Sequence, residues 1–172
     1  LDTPQLTVAA AGDSFPIRLQ ILNNRNREIN ATVRVVTPKG WLIDRSEANV
    51  KVPVNSQANV AFNVTISLDE PEGFREVLVI AEENGQRLKE MRAKVLITKP
   101  LDLKVSPIEG VPGQTEVKVQ VSNNSSRTLK GVLRFRLPKS WQVTPNSVTI
   151  EGLEPDEIRE IFVDLTWSPE WQ

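Results

Sequence analysis

Residues 17–41 read IRLQILNNRNREINATVRVVTPKGW, and residues 117–141 read VKVQVSNNSSRTLKGVLRFRLPKSW. The two stretches are offset by 100 positions, and eight of their 25 residues are identical: Gln20/Gln120, Asn23/Asn123, Asn24/Asn124, Arg27/Arg127, Arg34/Arg134, Pro38/Pro138, Lys39/Lys139 and Trp41/Trp141. Most of the other apolar positions match in kind. A repeat of this length is too long for a solenoid and predicts two similar domains, each large enough to bury its own core.

Apolar and polar residues alternate within the repeat, as in Phe15, Ile17, Leu19 and Ile21. This period of two is typical of a strand with one buried face. Asn-rich, Pro-containing and Asn-Gly turns separate such runs throughout residues 1–98, and no window has helical periodicity. Seven or eight short strands with frequent turns indicate an all-β fold, an antiparallel β-sandwich of immunoglobulin-like type.

Residues 101–172 restart the pattern and predict a second immunoglobulin-like sandwich. Its last alternating run is Ile161, Val163, Leu165 and Trp167, and nothing in the sequence corresponds to residues 69–98 of the first domain. The second sandwich is therefore expected to be truncated, with an unpaired edge and half a core. Three explanations stay open: the sequence is a fragment, the last strands come from another chain or segment by strand addition, or this domain is a shorter variant.

Composition excludes several classes of function. The 172 residues carry a net charge of −1 and include neither Cys nor His. No basic field is present to bind nucleic acid, and no apolar run approaches the roughly 18 residues of a membrane span, so membrane association would require other segments. Catalytic sites of the Ser-His-Asp or Cys-His kind are impossible without those residues. We expect no catalytic residues, no cofactor and no enzymatic activity.

Acidic residues cluster in predicted loops, and the best candidates for a calcium site are Asp69, Glu70 and Glu72. Calcium prefers six to eight oxygen ligands, which carboxylates could supply. The segment lacks the alternating spacing of a dedicated calcium loop. Solvated turn residues, with no bound metal, are the favoured interpretation.

Four tryptophans are the largest side chains. Trp41 and Trp141 recur at one position of the repeat, which favours capping of each core over a ligand platform, and Trp167 has the parity of a core residue. Trp171 follows Pro169, and an ordinary core residue is the favoured interpretation; it is also the candidate ligand-binding residue, because an exposed indole can stack on a sugar. Asn-x-Ser/Thr sequons, which also suit turns, occur at Asn30, Asn63, Asn123 and Asn124.

The order of these features carries a family resemblance. Asn23-Asn24, the Pro-x-Gly-Trp of residues 38–41, the turn of residues 55–57 and the alternating strand 60–66 recur in the second domain, with Ser140 in place of the glycine. This pattern resembles the immunoglobulin-like modules that accompany alpha-galactosidases and other bacterial glycoside hydrolases. It is also similar to the bacterial cell-adhesion-related domain. The resemblance implies a non-catalytic accessory domain of a secreted or cell-envelope protein, and it transfers no functional residues.

The sequence thus predicts a non-catalytic spacer or interaction module of a larger secreted or cell-envelope protein, whose partners are the other domains of that protein. The alternative is a module that binds glycan or protein through the loops at the sandwich ends or through a free sheet edge.

Overall fold

A computed structural model describes residues 6–108 and 110–168. The chain divides into two compact units, Leu1–Thr98 (unit 1) and Lys99–Gln172 (unit 2). All fourteen described elements are β-strands, arranged as two sheets in each unit, so the predicted all-β sandwich fold is confirmed. The part of the chain that the structure describes has no helix that is long and apolar enough to span a bilayer.

Unit 1 contains eight strands in two facing sheets. One sheet has the order β1-β8-β7-β3-β5 and the other β2-β6-β4. The strands are β1 (Thr7–Ala10), β2 (Ser14–Asn23), β3 (Ile29–Val36), β4 (Leu42–Ile43), β5 (Glu47–Val52), β6 (Ser56–Thr65), β7 (Gly73–Glu83) and β8 (Gln86–Thr98).

Period-two alternation positions the core of unit 1, since every second residue of β2, β3, β6 and β7 is buried or partly buried. Eighteen buried apolar side chains from both sheets form one cluster, which includes Phe62, Val77 and Val95, all 0% exposed. The hairpin β7–β8 turns at Asn84 and Gly85, which have φ angles of 51° and 76°. Asn-Gly suits such a turn because Asn tolerates positive φ and Gly has no Cβ to clash, so the predicted hairpin is confirmed.

Unit 2 contains six described strands, with the sheet orders β12-β14-β10-β9 and β11-β13. Its strands are β9 (Leu101–Pro107), β10 (Gln114–Asn123), β11 (Leu129–Arg134), β12 (Trp141–Thr144), β13 (Ser147–Leu153) and β14 (Ile158–Trp167). Seven buried apolar side chains form its core cluster, and seven more are only partly buried against it. Unit 2 therefore has a smaller and more open core than unit 1.

The registers of β3 with β5 and of β11 with β13 correspond between the two units. Ala31 pairs with Val50 in unit 1, and Gly131 pairs with Ile150 in unit 2, so the offset here is 100. Ile29 pairs with Val52, whereas Leu129 pairs with Leu153, so the offset becomes 101 beyond a β-bulge in β13. A bulge adds one residue to one strand of an antiparallel pair, which accounts for the shift.

Three local predictions from the sequence were wrong. The alternation of Val50, Val52 and Val54 predicts one strand, but β5 ends at Val52 because Pro53 has no amide hydrogen for a ladder. Strand β1 pairs with β8 in parallel, although antiparallel pairing was expected. A parallel pair needs a long connection, and here the rest of unit 1 supplies it. The run of Leu133, Phe135 and Leu137 was expected to be one strand, but β11 ends at Arg134.

Candidate strand-addition edge

The repeated asparagines hold the same turn in both units. The Asn23 side chain donates from Nδ2 to the carbonyls of Arg27 (2.8 Å) and Val52 (3.0 Å). Asn123 donates to the carbonyls of Arg127 (2.8 Å) and Leu153 (2.8 Å). Each asparagine is 1% exposed. These residues satisfy buried main-chain acceptors, so their repetition is structural, and Asn123 is not accessible to glycosylation in the folded chain.

The repeated tryptophans differ between the units. Trp41 is 6% exposed, packs edge-on against Phe15 at 6.2 Å between ring centroids, and donates from Nε1 to Glu70 Oε2 at 2.7 Å. This burial agrees with the expectation of core packing. Trp141 is 36% exposed, so the same expectation was wrong for unit 2.

Two substitutions explain the exposure of Trp141. The residue that corresponds to Phe15 is Thr115, which offers no ring. The residue that corresponds to Ile66 is Trp167, and the indoles of Trp141 and Trp167 stack at 4.9 Å with an angle of 18° between them. Trp167 is half-buried rather than a full core residue. Trp171 lies outside the described residues, and a glycan site at the sandwich end stays a prediction.

The calcium candidates of unit 1 do not converge on one point. Glu70 is committed to the protein, since Oε2 accepts from Trp41 and Oε1 accepts from Arg75 Nε at 2.5 Å. Asp69 and Glu72 flank it on an exposed loop. Across residues 6–108 and 110–168, no group of three or more Asp or Glu side chains is placed to hold a metal ion. Glu70 instead fixes the loop before β7 onto the buried indole.

The hairpin β7–β8 closes one side of unit 1. Strand β7 pairs with β3 from Thr32↔Glu82 to Val36↔Leu78, while β5 pairs with β3 only from Ile29 to Arg34. Val35 and Val36 at the end of β3 therefore pair with β7 and not with β5, although the Val35 amide also donates to the carbonyl of Ser46 at 2.9 Å. Val77, Val79, Val95 and Ile97 of the hairpin are at most 2% exposed and cover the core.

The same hairpin also holds the turn before β3. The Glu83 carboxylate accepts from Arg27 at 2.8 Å through both oxygens and from Arg25 at 3.0 Å, although Glu83 is only 8% exposed in its side chain. The hydrogen bonds from Arg27 lower the pKa of Glu83, and the charges of Arg27 and Arg25 add to this effect while burial opposes it. The charged carboxylate thus fastens β7 to the loop between β2 and β3.

Strand β11 corresponds to β3, but it has β13 as its one strand partner within residues 6–108 and 110–168. It ends at Arg134, so Phe135 and Arg136, the counterparts of Val35 and Val36, lie outside any strand. In unit 1 both of those positions pair with β7, and the Val35 amide also donates to the carbonyl of Ser46. In unit 2, β11 ends where its partner β13 begins, at the pair Arg134↔Ser147, and no described strand takes the place of β7 beside it.

An apolar groove runs along this edge of β11. It has a volume of about 240 Å³ and is lined by Leu101, Leu129, Lys130, Gly131, Val132, Leu133 and Ile150. Val132 is 52% exposed, and the inward-facing Leu129 and Leu133 are only partly buried, whereas their counterparts Ile29 and Val33 are buried. A Cβ added at Gly131 would meet no atom within 4 Å. The groove therefore has room for side chains that unit 2 does not itself supply.

Strand β2 is the other described strand that has fewer neighbours than its counterpart. It lies at the edge of its sheet, whereas β10 lies between β14 and β9. Its edge carries Pro16, which cannot donate to an added strand, and edge prolines commonly block such pairing. Ile17, Leu19 and Ile21 of β2 are at most 6% exposed. We therefore regard β11, with its open groove, as the better binding edge.

The solvent face of this edge is positively charged. Lys130, Arg134 and Arg136 share one parity and are exposed. Among the described residues none of the three makes an ion pair, although the counterpart Arg34 contacts both Glu47 (3.2 Å) and Glu82 (3.3 Å). The counterpart of Glu47 is Ser147, which pairs with Arg134 in the ladder. Sequence reasoning predicted an unpaired edge but did not identify these three residues. The available signal was that the repeat keeps the arginine of Arg34 and Arg134 but replaces Glu47 with Ser147.

No protein-family model matches the chain, and no curated protein sequence matches it either. Solved structures do match at low identity. The calcium binding domain CBD12 of CALX1.1 is 16% identical with a TM-score of 0.43, over 96% of this chain and 73% of that one. The E. coli chaperone DraB is 10% identical with a TM-score of 0.37, over 96% of this chain and 83% of that one.

Red sea bream transglutaminase is 13% identical with a TM-score of 0.40, and the match covers 92% of this chain but only 25% of the transglutaminase chain. The chain thus spans about a quarter of that enzyme. Likeness at these values says nothing about function. The immunoglobulin-like character of the chain rests on its own sheets, and no family model supports the narrower resemblance to glycosidase-associated or cell-adhesion-related modules.

Proposed function

We propose that this chain is a non-catalytic interaction module of a larger protein, and that unit 2 binds another polypeptide segment as an added β-strand along β11. The observation that carries the proposal is the open groove at β11. Two of its lining residues, Val132 and Leu133, correspond to Thr32 and Val33, which pair with β7 in unit 1. In unit 1 the corresponding strand β3 is already paired with β7 of the same unit. The family resemblance of the sequence supports a secreted or cell-envelope setting.

Strand addition supplies two kinds of interaction. The main chain of the incoming strand pairs with the free edge, and its alternate side chains enter the groove. Each apolar side chain that becomes fully buried stabilises the complex by about 1.5–3 kcal/mol. Loss of translational and conformational freedom offsets much of this gain. We therefore expect a dissociation constant on the order of micromolar.

A titration of the full chain with a synthetic peptide tests the proposal. The probe has the sequence of residues 73–98, the hairpin that covers the corresponding side of unit 1. We expect isothermal titration calorimetry to give one site with a micromolar dissociation constant. Absence of binding at millimolar peptide would overturn strand addition at β11.

Gly131→Val is the matched variant, because its side chain would occupy the groove without a clash in the unbound chain. Overfilling a packed site costs about 1–3 kcal/mol, so binding should weaken about tenfold. Phe162→Ala, which removes a half-exposed ring from β14 in the other sheet, should leave the affinity unchanged. Equal affinities for wild type and Gly131→Val would place the peptide elsewhere.

A further inference from the structure

The arginine shared by β3 and β11 shows what kind of strand fits the free edge. In unit 1, Arg34 lies on the solvent face of the central strand of three. It faces Glu47 of β5 directly. It also contacts Glu82 of β7, which pairs with Thr32 and therefore lies diagonally across the ladder from Arg34. Opposite charges at directly facing or diagonal positions stabilise strand pairing. One arginine thus joins three strands through two carboxylates.

Unit 2 keeps the arginine, has Ser147 in place of Glu47, and has no described strand in the place of β7, the strand that carries Glu82 in unit 1. Arg134 faces Ser147, and Val132 is the residue whose partner on an added strand would correspond to Glu82. Lys130 and Arg136 replace Asn30 and Val36, which raises the positive charge of this face. The carboxylate of β13 nearest in the ladder is Glu151, in the bulge beyond Ile150, and it makes no ion pair among the described residues. The edge therefore presents three cations without a carboxylate partner.

We propose that the partner of unit 2 is an acidic, amphipathic β-strand that runs antiparallel to β11. It carries Asp or Glu on its solvent face, at the position opposite Val132 and at the next solvent-facing positions on either side, opposite Lys130 and Arg134. Its groove-facing positions carry apolar side chains, which lie opposite Leu133 and Phe135. This inference rests on the proposed function, since it specifies the segment that the same edge binds.

The groove and the charged face of β11 are contacted by alternate residues of one added strand. In unit 1, Val79 and Ala81 of β7 face Val35 and Val33. Ile80 and Glu82 alternate with them and point to the outer face. A strand of the same parity on β11 would place its apolar residues opposite Leu133 and Phe135. A one-residue slip would exchange the two faces and place carboxylates in the apolar groove. Charge and hydrophobic pattern thus select the same register.

A charge-reversal cycle tests the inference on the full chain. Arg134→Glu is combined with two peptides: the sequence of residues 73–98, and the same peptide with Glu82→Lys. We expect Arg134→Glu to weaken binding of the first peptide about fivefold, and the Glu82→Lys peptide to recover the loss. The wild-type chain should prefer the first peptide, and this preference should shrink in high salt because the groups are exposed.

The control Lys89→Glu gives the same change of net charge at an exposed site of unit 1 and should not alter either affinity. If both peptides bind the wild type and Arg134→Glu equally, the acidic-partner inference is wrong while strand addition stands. If neither peptide binds the wild type or Gly131→Val, the proposed function itself is wrong. Unchanged thermal unfolding of Arg134→Glu will show that any loss of affinity is not a loss of folding.

Discussion

Single residues show that the repeat preserves turns and changes surroundings. Asn23 and Asn123 keep the same buried hydrogen bonds, so an identical residue performs an identical task in both units. Trp41 and Trp141 occupy the same position of the repeat. Trp41 is buried against Phe15 and Glu70, whereas Trp141 is partly exposed and stacks on Trp167. Identity within a repeat therefore predicts backbone roles better than it predicts burial.

The tryptophan pair gives a direct comparison of burial. We expect Trp41→Ala to destabilise unit 1 by about 3–5 kcal/mol, because a buried aromatic leaves a large cavity and Glu70 loses its indole donor. Trp141→Ala should cost unit 2 less, about 1–2 kcal/mol, since much of the ring stays in contact with water. Urea unfolding of the two variants, followed by amide signals assigned to each unit, measures both losses. Equal losses of stability would contradict the greater exposure of Trp141 relative to Trp41 in the free chain.

At the scale of elements, alternation predicted the strands that the structure contains. Strands β2 and β6 follow from Ile17, Leu19 and Val60 because their periodicity is local information. The end of β11 at Arg134 could not be predicted, since Phe135 continues the alternation whereas the partner strand β13 begins at Ser147, opposite Arg134. The parallel pairing of β1 is likewise decided by contacts distant in sequence.

The candidate site was predictable in part. Comparison of the two repeats predicts an unpaired edge in unit 2, but the sequence does not say which strand carries that edge. Assigning it to β11 required the register of β3 with β7. The charge of the edge was readable in Lys130, Arg134 and Arg136, yet their lack of ion pairs depends on Ser147, which the ladder places opposite Arg134.

The hairpin β7–β8 is held to the turn before β3 by a buried carboxylate, and this contact makes unit 1 sensitive to acid. Because the pKa of Glu83 is lowered in the folded chain, its contribution is complete above the ordinary glutamate pKa of about 4.3 and is lost as pH falls through the folded value. We expect wild type and Glu83→Gln to differ in free energy of unfolding at neutral pH and to converge in acid.

Urea unfolding of unit 1 between neutral pH and pH 2 measures this difference. Glu47→Gln is the control, since that carboxylate pairs with Arg34 on an exposed face and should give a small difference at every pH. A Glu83→Gln difference that does not change with pH would contradict the role of the charged carboxylate.

The whole molecule combines one closed sandwich with one open sandwich of the same design. Unit 1 buries eighteen apolar side chains in its core cluster, whereas unit 2 buries seven and leaves seven partly exposed. The hairpin β7–β8 supplies six of the eighteen, and it has no described counterpart on β11. We therefore interpret the chain as an interaction module in which unit 2 offers the binding edge.

Hydrogen exchange of the full chain with and without the peptide of residues 73–98 tests this claim most directly. We predict that amides of residues 129–136 gain protection in the complex, including Phe135 and Arg136, which join no strand in the free chain. Amides of β3 should not change, because β7 already covers that strand. Protection that appears in β3 or in the loops while residues 129–136 stay unchanged would contradict strand addition at β11.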